Sequence, residues 1–64
     1  MNDSRATWAG EALNAFQRLT GTDDGDILYD LLCDLMHWSD RNGVDFAETI
    51  EKAKRCYADE TRAK

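Results

Sequence analysis

The chain has no proline and only four glycines in 64 residues, so little in it interrupts a helix. β-Branched residues are thin: two isoleucines, one valine and five threonines. That supply is too small for a sheet with a packed face, and it leaves an all-α fold as the expectation. No apolar run approaches the roughly 20 residues that a membrane span requires. The first five residues, Met1-Asn2-Asp3-Ser4-Arg5, lack the basic start and apolar stretch of a signal peptide, so the cytoplasm is the expected location. Cys33 and Cys56 are then expected as reduced thiols. Together with the single histidine, His37, they are too few for a structural zinc site within one chain. The length predicts a single domain, 1–64, close to the lower limit at which a core holds without staples.

What the chain has in excess is aspartate, and in one place. Residues 20–45 carry Asp23, Asp24, Asp26, Asp30, Asp34, Asp40 and Asp45 against a single base, Arg41. That stretch has a net charge of −6, while the whole chain has −5. Residues 1–19 balance, with two acids against two bases, and residues 46–64 come to +1, with four acids against five bases. The acidity is therefore a local field. A field of that sign attracts cationic surfaces and repels nucleic acid.

Helical periodicity predicts three helices, over about 7–20, 26–41 and 46–61, in a compact three-helix bundle. In the first, Trp8, Ala9, Ala12, Leu13, Phe16 and Leu19 form the apolar stripe. Gly10, Asn14, Gln17 and Arg18 fall opposite, Ser4 or Thr7 is the candidate cap, and Gly21 is placed to end the helix. Asp24 or Asp26 is expected to cap the second helix, whose stripe is Ile27, Leu28, Leu31, Leu32, Leu35 and Trp38. Asp26, Asp30, Asp34, His37 and Arg41 line its other face at steps of four, four, three and four. The first three carboxylates thus recur about every 6 Å along the axis. Stacked like charges cost a few tenths of a kcal/mol per pair, and folding alone does not ask for them. Asn42-Gly43 closes this helix, and Asp45-Phe46-Ala47-Glu48 has capping-box spacing for the third. The third helix carries the stripe Phe46, Ile50, Ala53, Tyr57 and the four-residue pairs Glu48–Lys52 and Glu51–Arg55. Trp8 and Trp38 are expected as core anchors.

Signals for chemistry are weak. The 22–25 joint lacks the alternating acids and terminal glutamate of a calcium-binding EF-hand loop. Cys33 and His37 share a face with Asp30 and Asp34, but no second helix clearly offers further ligands, so no metal site is expected. Glu48-x-x-Glu51 is a fragment of the magnesium-binding pattern of all-helical nucleotide pyrophosphatases. The second helix offers Asp30 and Asp34 at four-residue spacing where those enzymes need Glu-x-x-Asp. No enzyme, catalytic residue or cofactor is expected on this reading.

A binding role is expected instead. Tyr29, Met36 and Cys33 lie on a flank between the apolar stripe and the acids of the second helix. Tyrosine and methionine are enriched in protein interfaces; packing of Met36 against the first helix is the favoured alternative, and Tyr29 is left open. Cys33 is expected to be the more exposed thiol. A row of carboxylates on a rigid rod can occupy a Lys/Arg-lined channel meant for nucleic-acid phosphates.

In size, acidity and helical character, and in the segment 26–41, the chain resembles the small acidic anti-CRISPR proteins of phages and mobile elements. More specifically, it is similar to the acidic helical ones that block the DNA-binding face of a type I surveillance complex. The resemblance implies direct binding to a Cas subunit through Asp23, Asp24, Asp26, Asp30 and Asp34, without a cofactor. The candidate partner-binding set is these five with Asp40, Tyr29 and Met36. The expected partner is a basic nucleic-acid-binding protein, with no direct nucleic-acid contact, no membrane, and a monomer rather than a dimer. A helix-turn-helix regulator is the alternative, opposed by Asp45, Glu48 and Glu51 where its third helix would meet DNA. A small assembly or antitoxin-type module dimerising through Tyr29, Met36 and Cys33 is the other.

Overall fold

Three helices and two glycine-terminated corners make up the protein. The structure is a computed structural model that describes residues 3–62. Helix α1 runs over Asp3–Thr20, α2 over Ile27–Asn42 and α3 over Phe46–Arg62, with one 3₁₀ turn at Asp24–Asp26 and no strand among the described residues. The all-α three-helix arrangement read from periodicity is the one adopted. Helix α2 is the central element, touching both α1 and α3.

The corners explain where the helices stop. Gly21 adopts a left-handed φ of 73°, and its N–H donates to the Gln17 carbonyl at 2.7 Å. Gly43 does the same after α2, with φ 68°. The Ser39 carbonyl accepts both the Gly43 N–H and, at 3.0 Å, the Val44 N–H. Asn42 Nδ2 donates to the Trp38 carbonyl at 2.8 Å and satisfies another C-terminal acceptor. At the start of α3, Asp45 Oδ1 accepts the Glu48 N–H at 3.0 Å, which is the backbone half of the expected box.

Other expectations at the helix ends are corrected. Ser4 and Thr7 lie inside α1, which begins at Asp3, so neither caps it. Asp26 precedes α2 without a side-chain cap bond, and Asp24 belongs to the 3₁₀ turn. That turn supplies the missing order by a backbone bond, from the Asp26 N–H to the Asp23 carbonyl at 3.0 Å. On α3, Glu51 pairs with Lys54 at 3.4 Å instead of Arg55, and no Glu48–Lys52 pair forms among the described residues. Partners three and four residues away are both within reach on an exposed helix face, and each is worth only a few tenths of a kcal/mol.

Burial departs furthest from the sequence pattern. Among the described residues none of the apolar side chains is fully buried; Ser39, at the α2–α3 corner, is the one buried residue, 4% exposed. The half-buried residues of α1 include Leu13, Phe16 and Gln17, so Gln17 sits on the packed side instead of opposite it. Trp8 and Trp38, expected as core anchors, are 65% and 56% exposed. The physical reason lies in the topology. Helices α1 and α3 each lean on α2, and they meet each other through their far ends, where Arg5 Nε lies 3.3 Å from Glu60 Oε1. Two flanking contacts cannot wall in a stripe as wide as that of α2. The radius of gyration, 13.5 Å, follows from this openness; a tightly folded chain of this length has about 10.7 Å.

A Cβ built on Gly10 meets nothing within 4 Å, and its backbone is helical. Gly10→Ala is therefore expected to raise stability by about 1 kcal/mol. Gly43→Ala, at positive φ, is expected to lower it by about 1 kcal/mol. Denaturant titration followed by far-UV circular dichroism, at one fixed protein concentration, reads both; a loss of stability in the Gly10 variant would contradict the packing described here.

Candidate partner-binding surface

The acidic stretch divides between the α1–α2 corner and one side of α2. Asp23, Asp24, Asp26, Asp34, Asp40 and Asp45 are exposed, and Asp30 is half-buried. The three ion pairs among the described residues, Arg5–Glu60, Lys54–Glu51 and Arg62–Asp59, all lie outside residues 23–45. Arg41, the one base of that stretch, joins none of them. The field inferred from the sequence thus faces solvent without salt-bridge compensation among the described residues. Asp26 and Asp34 lie eight positions apart, about 12 Å along the axis.

Some of these carboxylates also serve the fold, a point the sequence did not signal. Thr22 Oγ1 donates to Asp30 Oδ2 at 3.0 Å, and Gln17 Nε2 donates both to Asp24 Oδ1 and, at 3.0 Å, to the Thr22 carbonyl. Thr20 and Thr22 hydroxyls lie 2.9 Å apart. Gln17, Thr20, Thr22, Asp24 and Asp30 therefore form one polar clasp that sets the angle between α1 and α2. Asp30 is turned into the clasp, whereas the carboxylates of Asp26 and Asp34 take no part in a hydrogen bond or ion pair among the described residues. Asp45 is committed to the α3 cap.

Tyr29 and Met36 are 73% and 52% exposed. Met36 is thus left half-open, and the half-buried residues of α2 are Ile27, Asp30 and Leu31, on another side of the helix. Cys33 and His37 are exposed on the acidic side, but among the described residues no group of three or more His, Cys, Asp or Glu side chains comes together to hold a metal ion. Cys33 is not distinguished from Cys56 by exposure, since both thiols are open to solvent.

A recess of about 320 Å³ lies between the start of α1 and the end of α3, lined by Arg5, Ala6, Tyr57, Glu60 and Thr61. It sits beside Cys56, whose Sγ donates to Glu60 Oε2 at 3.5 Å. The Glu60 carboxylate, by accepting that hydrogen and by repelling a thiolate, pushes the Cys56 thiol above its ordinary value, and Arg5 pulls it weakly the other way. A thiol held in its protonated form is a poor nucleophile.

No protein-family model matches the chain, and no curated protein or solved structure matches it either.

The Cys56–Glu60 contact gives a pH dependence of known sign. The folded thiol value lies above the unfolded one, so the protonated form is favoured on folding; that contribution is present below the unfolded value, about 8.5, and is lost as pH rises through the folded one. Alkylation of Cys56 by iodoacetamide, followed by mass spectrometry across pH, is expected to move to lower pH in Glu60→Gln. An unmoved profile would contradict the contact.

Proposed function

We propose that this chain is a non-catalytic protein-binding inhibitor whose aspartates stand in for nucleic-acid phosphates. The observation that carries the reading is the exposure of six of the seven aspartates of residues 23–45, with none of the seven in an ion pair among the described residues. Such a cluster costs stability through like-charge repulsion, and it gains its compensation when a cationic groove closes over it. Carboxylates one helical turn apart accept charge-assisted hydrogen bonds from lysine and arginine as a phosphate row does. The partner is accordingly a basic protein that binds nucleic acid. In its most specific form, which rests on the resemblance to acidic anti-CRISPR proteins, that partner is a Cas subunit of a type I surveillance complex.

Within the candidate set, Asp23, Asp26, Asp34 and Asp40 are exposed and their carboxylates make no hydrogen bond or ion pair among the described residues, which supports them as the primary contacts. Asp24 and Asp30 contribute charge while holding the clasp. Tyr29 and Met36 border the same surface and add apolar contact to the partner.

Capture of partners from a host lysate tests this reading. A retained nucleic-acid-binding protein is expected at about 0.1 M salt and its loss at about 1 M, where the Debye length shrinks to about 3 Å. Asp26→Lys with Asp34→Lys is expected to abolish capture while the helical signal persists. Capture that ignores both salt and charge reversal would overturn the reading, and a DNA fragment shifted on a gel by the chain alone would replace it with the helix-turn-helix alternative.

A further inference from the structure

The recess of about 320 Å³ where the first turns of α1 meet the last turns of α3 belongs to neither the acidic surface nor the clasp. Its volume lies at the small end of ligand pockets. Among the side chains that line it, the acceptors are already engaged. Glu60 Oε1 lies 3.3 Å from Arg5 Nε, and Glu60 Oε2 accepts the Cys56 thiol at 3.5 Å. The Thr61 hydroxyl donates back to the Tyr57 carbonyl at 2.8 Å.

What remains is a set of donors beside an apolar wall. Arg5 meets Glu60 through Nε, so its two Nη groups have no partner among the described residues, and neither does the Tyr57 hydroxyl. The Ala6 methyl and the Tyr57 ring complete the lining. Tyr57 is 69% exposed, which leaves room for a second ring to stack on its own.

The recess also stands apart from the aspartates of α2. Arg5 lies about 22 Å along the helix axis from Thr20, and Glu60 about 21 Å from Phe46. Both spans are about twice the Debye length at 0.1 M salt, about 10 Å. Close by, Arg5 is balanced by Glu60 and Arg62 by Asp59. An anion entering here is screened from the acidic field.

The geometry points to a binding site for a small aromatic carboxylate. The Nη groups of Arg5 hold its two oxygens as a fork, and its ring lies against Tyr57 and Ala6. Glu60 steadies the guanidinium from the Nε edge, at the cost of a like charge beside the ligand. The site does not depend on the inhibitor reading, because all its residues lie outside 23–45.

Titration of the ¹⁵N-labelled full chain with sodium benzoate at fixed ionic strength, followed by two-dimensional NMR, tests the site. Saturable shifts at amides of residues 4–7 and 56–62 are expected. The cationic and neutral analogues, benzylamine and benzamide, are expected to bind at least about ten-fold more weakly, having lost the charge-assisted pair with Arg5. Two variants remove the same Arg5–Glu60 ion pair and are expected to act in opposite directions. Arg5→Gln weakens benzoate at least about ten-fold, whereas Glu60→Gln, which still accepts from Arg5 Nε, tightens it about two-fold or more as the like charge is lost. Shifts that stay linear in benzoate or spread over α2, equal binding of benzylamine, undiminished binding by Arg5→Gln or weakened binding by Glu60→Gln would overturn the proposal.

Discussion

Enclosure of apolar surface is the constraint that the rest of this structure answers to. Chains of this size bury about 60% of the surface that their unfolded state exposes, and they do so only if their elements close on one another. Here the two outer helices each lean on α2 and leave its leucines half-covered or open. The interactions that hold the helices in place are accordingly concentrated at the ends: two left-handed glycine caps, the Asp45 cap, the Gln17–Thr22–Asp30 clasp and the Arg5–Glu60 pair. Such bonds specify angles well. Each contributes about 1 kcal/mol net, less for exposed pairs, which is too little to replace a core.

Helix α2 therefore carries two unmet demands on two sides. One side presents carboxylates that no base compensates among the described residues, and the other presents leucines that the chain's own helices leave exposed. The demands differ in kind. The acidic side is satisfied by long-range, salt-sensitive attraction, and the apolar side by short-range, salt-insensitive burial.

The sequence disclosed local structure better than enclosure. Helix type, number and stops were legible because they rest on neighbours: absence of proline, periodic leucines, and glycines at 21 and 43 that alone tolerate positive φ. Trp8 and Trp38 were misread because their burial depends on where a different helix comes to rest, which periodicity within one helix does not encode. Gln17 was assigned to the solvent side for the same reason, and its bonds across the corner to Thr22 and Asp24 join residues five and seven positions away in an irregular turn. The exposed aspartates followed directly from their crowding; the diversion of Asp30 into the clasp did not, since Thr22 carries no signal of its own.

Amide hydrogen exchange of the isolated chain, followed residue by residue, tests the central claim most directly. The account expects only weak protection along α2, whose leucines the outer helices leave half-covered or open, and fast exchange at residues 22–26. Protection across α2 as strong as that of an enclosed core would contradict it.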